Sequence, residues 1–168
     1  MADLQRLLRD LDDARAAFVD ALEDVDAELV TVPGVVGVWS VRDLVVHVAA
    51  WAEHGAGALD LATAGRGAEF AYNRSQTDAM NDDVQAEAGS TSPADALVRE
   101  ESAFGAFRDR AATLDPAMLS AELGNGDTVE AVIRYDGIDH YAEHTAHLRA
   151  WFDGNSEADE EDDVLGPV

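Results

Sequence analysis

All five histidines of this chain fall in two short stretches, and the spacing within each is helical. His47 and His54 lie in the apolar run from Trp39 to Leu61, and His140, His144 and His147 lie between Ile138 and Phe152. Residues four apart on a helix project from one face with Cβ atoms roughly 5–6 Å apart. From there, the imidazoles of His140 and His144 can both reach one metal ion at about 2.0–2.1 Å. His47 sits among Val45, Val46 and Val48, a poor setting for an imidazole without a partner. One ligand from an early helix and two from a late one would make a three-nitrogen site with a coordination position left open, the arrangement that permits chemistry. His144 with His147, three apart, is the competing pair. His140 and His147 are about 10.5 Å apart along the axis and do not easily share one ion. His54 and His147 are read as surface or rim residues.

A metal-bound neutral imidazole needs its other N–H oriented, usually by a carboxylate or a carbonyl. Asp136, Asp139 and Glu143 lie within one turn of the late pair, and Glu143, between the two ligands, is the candidate general base. Trp51, four residues after His47, is placed to wall such a pocket. Three nitrogen ligands suit zinc, nickel, iron(II) or copper, with zinc and then nickel as the expected ions. If a thiol cofactor takes part, arginines must meet its carboxylates, and Arg42 is the nearest in sequence to His47.

These residues must be positioned by helices. Leu4, Leu7, Leu8, Leu11, Phe18, Leu22, Val25 and Leu29 recur at helical period over residues 3–29. Pro33 and Gly34 open a turn-rich link. Ser40 and Asp43 form a capping box, with Asp in place of Glu, for a second helix from Val41 to about Thr63, weakened by Gly55 and Gly57 and stopped at Gly65–Gly67. A short extra helix is expected around Thr77–Ala88. Ser92 and Pro93 start the third long helix, with Leu97, Phe104, Phe107, Ala111 and Leu114 as its buried stripe. Asp115–Pro116 breaks it. Thr128 caps a last helical segment reaching Phe152, with a bend expected at Gly137. Nothing alternates with the period of a strand. The fold class is all-α, an up-down four-helix bundle over residues 1–153 with a short extra helix between the second and third long helices. Residues 154–168, rich in Asp and Glu, read as a disordered acidic tail.

Composition narrows the function. The net charge is −24, from 35 carboxylates against 11 arginines and no lysine. Such a field repels nucleic acid and anionic membranes, and it has the look of a salt-adapted surface. There is no cysteine, so disulfides, thiolate metal sites and cysteine nucleophiles are excluded. Charged residues from Asp3 onward argue against a secretory signal, and a cytoplasmic protein is the expectation. The expected partner is a small-molecule substrate, with no nucleic acid and no membrane; a homodimer is allowed.

The stretch Trp39-Ser-Val-Arg-Asp-Leu-Val-Val-His47-Val-Ala-Ala-Trp51, together with His140-Tyr141-Ala-Glu143-His144, resembles the DinB-like superfamily, most closely its ClbS/DfsB branch. The resemblance implies a four-helix bundle holding a divalent metal through His47, His140 and His144. It further implies an activity such as metal-dependent hydrolysis, or transfer using a low-molecular-weight thiol, on a small electrophilic or toxic metabolite. Non-catalytic stress proteins of the same fold are the alternative it leaves. The polar segment holding Asn73 and Asn81 is similar to the asparagine-bearing stretch of the ClbS branch. Asn73, Trp51 and Tyr141 are accordingly expected to line the pocket.

Overall fold

A computed structural model of the chain describes the backbone of residues 3–163 and side chains through Gly154. The long helices are α1 (Leu4–Glu23), α2 (Val41–Thr63), α4 (Pro93–Ala112) and α6 (His140–Asp163), with the shorter α3 (Thr77–Ala88) and α5 (Val129–Ile133) between them. Among the described residues there is no strand, only two isolated bridges in loops. The all-α bundle is as expected, the extra helix between the second and third long helices included.

Local chemistry sets most of the boundaries. The Asp3 carboxylate caps α1 by accepting from the Gln5 and Arg6 N–H groups. Ser40 and Asp43 form the reciprocal capping box of α2, and the Ser92 and Thr128 hydroxyls cap α4 and α5. α1 ends at Glu23, six residues before the expected limit, and Val25 and Leu29 lie in the turns that follow. Those turns use left-handed backbone at Gly34 and Gly37.

α2 is the central helix, buried along most of its length and packed chiefly on α4, while α1 packs on α6. Gly55, which costs α2 helix propensity, has a packing reason. A Cβ there would lie 2.8 Å from the Phe107 ring, and one at Gly137 would lie 2.9 Å from the same ring and 2.6 Å from Leu11. Two glycines thus let the Phe107 ring wedge between α2 and the segment before α6. Leu97 departs from the expected stripe of α4: it is half exposed, and its neighbour Val98 is more exposed still.

The bend expected at Gly137 takes the form of a π-helical stretch, Arg134–Asp139, joining α5 to α6. Such stretches insert a residue into the helical register and often sit beside functional residues. α6 then continues to Asp163, so the acidic segment from residue 154 begins as helical backbone. Residues 164–168, and the side chains from residue 155 on, lie outside the described residues, and with them the expected disorder of the tail.

A polar network closes the other side of the core. Tyr141, fully buried, donates to Glu100 Oε1 at 2.7 Å. Glu100 also takes a two-point contact from Arg15, at 3.0 and 2.9 Å. This ties α6 to α4 and α1 through groups that are all hydrogen-bonded. Burial, more than the nearby Glu100 charge, pushes the Tyr141 phenol far above its ordinary range. Donating hydrogen bonds to Glu100 raises the Arg15 guanidinium.

Candidate metal centre

α2 delivers His47 and the first turn of α6 delivers His140 and His144. Their ring centroids are 4.7 Å apart (His47–His140), 4.9 Å (His47–His144) and 4.7 Å (His140–His144). One ring nitrogen of each lies within 4.8 Å of those of the other two. Two of these imidazoles carry buried nitrogens that meet no hydrogen-bond partner among the described residues: Nδ1 of His47 and Nε2 of His140. Leaving such an atom unsatisfied costs about 1–3 kcal/mol, and native cores rarely do so without a reason. A divalent cation accepting both lone pairs, with a nitrogen of His144 completing the set, fits these donors.

The electrostatics favour the same form of the rings. Burial holds the His47 imidazole down to about 4. His144 is held down to about 3, first by burial and then by the positive charge His47 would carry. His140 is driven well below its ordinary value by burial and by both neighbours. All three are therefore neutral near pH 7, the form that binds metal.

The surroundings of the trio differ from the sequence expectation in several places. Asp136 serves none of the three: its Oδ2 is 2.8 Å from Nδ1 of His54. His147, expected at the rim, places its Nδ1 3.3 Å from Nδ1 of His144 and is the ring that orients it. His54, also expected at the rim, lines the cavity. Trp39 meets His47 edge-on at 5.0 Å, while Trp51 stands 5.7 Å from His140 and donates its indole N–H to Asn81.

The trio opens on a cavity of about 530 Å³ walled by Trp51, His54, Phe70, Tyr72 and Tyr135, with Asp136, Asp139 and Glu143 around it. His47 and His144 also face a second, smaller cavity of about 290 Å³ on the side of Trp39 and Asp78. Glu143 lines the larger cavity from an exposed position on α6. Tyr141 is not part of it, since the residue after His140 turns into the core toward Glu100. Asn73 is not part of it either: its side chain caps a 3₁₀ turn, Arg74–Gln76, and Asn81 is the asparagine at the cavity. Arg42 pairs with Asp43 outside the cavity. The cavity arginine is Arg74, which stacks 5.1 Å from the Tyr135 ring and forms no ion pair among the described residues.

One part of this was findable in the sequence. Seven residues return a helix to within about 20° of the same face, so His47, Trp51 and His54 form a single stripe. That stripe marks His54 as facing inward. The Asn81 and Arg74 positions depend on how the loop between α2 and α3 folds back, for which the sequence carries no comparable signal.

A helical bundle with a buried, open-sided histidine trio between its second and last long helices is thus the class of protein the fold and site define. The family model of the DinB superfamily matches residues 10–151, and the chain belongs to that superfamily. Among solved structures it is similar to that of an uncharacterised protein from Escherichia coli UTI89. The TM-score is 0.79 at 17% sequence identity, covering 91% of this chain and 94% of the other. That likeness concerns the fold. No curated relative matches the chain. Among the described residues, no helix is long and apolar enough to cross a membrane.

Proposed function

We propose that this protein binds one divalent transition metal through His47, His140 and His144. In this reading it uses the adjoining cavity for metal-dependent hydrolysis, or thiol transfer, on a small electrophilic metabolite. The observation that carries the reading is the close trio His47, His140 and His144, one ring nitrogen of each within 4.8 Å of the others. Two of these rings hold a buried nitrogen, His47 Nδ1 and His140 Nε2, with no partner among the described residues. A divalent ion held there supplies Lewis acidity and lowers the pKa of a bound water or thiol toward neutrality.

The chain's own residues account for the rest. Trp39 and Trp51 fix the ring of His47 by edge contacts. His147 holds the orientation of His144. The aromatic wall of Trp51, Phe70 and Tyr72 limits water and offers flat apolar surface to a substrate of modest size. Arg74 stands at the cavity with its charge free to meet a carboxylate of a substrate or of a low-molecular-weight thiol. The sequence resemblance of the His47 and His140–His144 stretches to the ClbS/DfsB branch is what supports a protective role against a toxic metabolite, and three nitrogen ligands suit zinc, then nickel, as the ion.

Elemental analysis of the purified protein tests the reading. About one zinc or nickel per chain is expected, falling to a trace in His140→Ala while circular dichroism still reports a folded bundle. Metal content unchanged in that variant removes His140 from the site; no metal in the wild type removes the reading.

A further inference from the structure

The cavity holds a second pair of groups suited to chemistry, set apart from the histidine trio. His54 stands on α2 and Asp136 in the π-helical stretch, 82 residues apart in sequence, yet His54 Nδ1 and Asp136 Oδ2 are 2.8 Å apart. The carboxylate is buried and the imidazole is nearly so. Three aromatic rings enclose the imidazole, with centroids at 5.2 Å (Trp51), 5.2 Å (Phe70) and 4.7 Å (Tyr72). Its other nitrogen, Nε2, forms no hydrogen bond among the described residues, and unlike Nδ1 of His47 it is not sealed from solvent. The ring is therefore gripped on one side and open toward the cavity on the other.

We infer that His54, oriented by Asp136, is the proton-transfer residue of this cavity, accepting at Nε2 the proton of an attacking water or thiol. The inference rests on the reading of the cavity as a catalytic site. As the nucleophile's O or S bonds to the electrophilic carbon, its proton passes to His54 Nε2. The bond from carbon to the leaving group breaks with its electron pair, and His54 returns the proton to that group. Asp136 keeps the Nδ1 proton on the far side of the ring and stabilises the transient imidazolium, without taking the proton itself. The π-helical stretch is what makes this possible, because it carries Asp136 toward α2 and away from the His140–His144 face.

One competing arrangement gives the geometry a different meaning. Burial raises the Asp136 carboxyl, against the opposing pull of His54. Were Asp136 protonated, it would donate to Nδ1 and leave the ring's own proton on Nε2, which could then accept nothing. Nitrogen-15 NMR of the histidine side chains at pH 7 distinguishes the two. The inference predicts the Nδ1–H tautomer for His54 in the wild type; an Nε2–H tautomer overturns it.

The functional arm uses metal-loaded protein with 4-nitrophenyl acetate as the electrophile and water as the nucleophile. His54→Gln should lower the hydrolysis rate at least about 100-fold and Asp136→Asn about tenfold or more, both with metal content unchanged. Equal rates in wild type and His54→Gln, including none in either, overturn the inference while leaving the metal reading intact. Loss of metal from His54→Gln also overturns it, by making His54 part of the metal centre. Absence of metal from the wild type is the separate failure of the earlier reading.

Discussion

Two of the polar clusters buried among the described residues differ in whether their hydrogen-bonding capacity is used up. On one side of α6, Tyr141, Glu100 and Arg15 satisfy one another across three helices. On the other side, one residue earlier, His140 meets His47 and His144 with lone pairs left over. The first cluster has the chemistry of a structural clamp, complete without any addition. The second is incomplete as protein alone, and its deficit is a set of nitrogen donors around one point. Adjacent residues on one helix therefore serve opposite ends: Tyr141 closes the core and His140 opens a site.

The contrast breaks if either cluster behaves like the other. The largest expected effect is on the clamp. Glu100→Ala leaves Arg15 and the Tyr141 hydroxyl without their common acceptor and should cost about 3–5 kcal/mol. Thermal unfolding would read this as roughly a 10 °C loss, with metal content unchanged. A large loss of metal in this variant would show that the clamp and the site are one unit.

Acid should act on the other cluster. The imidazoles of His47 and His144 are held down to about 4 and 3 from an ordinary 6.5, so below pH 6.5 the unfolded chain binds protons that the folded chain refuses. Their contribution to stability is whole above pH 6.5 and is lost as pH falls toward 4. Between pH 7 and pH 5 this amounts to roughly 2 kcal/mol per imidazole in metal-free protein. The metal-free His47→Leu variant should accordingly lose about 5 °C less of its melting temperature over that interval than the wild type. Identical acid sensitivity would mean that His47 is already protonated in the fold.

The smallest effect is Tyr141→Phe. It removes one hydrogen bond from the clamp and should cost about 1–2 kcal/mol in chemical denaturation, with no change in metal binding. A change in metal content would put the Tyr141 hydroxyl within reach of the site.

Much of the bundle was legible because its boundaries are written in local chemistry. Ser40 with Asp43, Ser92 with Pro93, and Thr128 each mark a helix start that short-range hydrogen bonds enforce. The histidine trio was legible for a similar reason, since i, i+4 spacing and a lone imidazole among valines are local patterns. What escaped depends on long-range register. A regular helix places Asp136 one turn before His140 on the ligand face, but the π-helical stretch shifts the phase and delivers the carboxylate to His54. The family resemblance puts Tyr141 in the pocket, and only the packing of α4 and α1 shows that Glu100 claims it. Asn73 and Asn81 are equivalent as sequence signals; the loop's own cap takes the first and Trp51 the second. Periodicity puts Leu97 in the core stripe of α4, yet its side chain is half exposed.

The central claim is that His47, His140 and His144 jointly hold one cation. X-ray absorption at the metal edge of the purified, metal-loaded protein tests it most directly. Three imidazole nitrogens at about 2.0–2.1 Å are expected in the wild type, with the metal lost from His47→Leu as it is from His140→Ala. A spectrum dominated by carboxylate or water oxygens, or one unaltered by the loss of His47, would contradict the account.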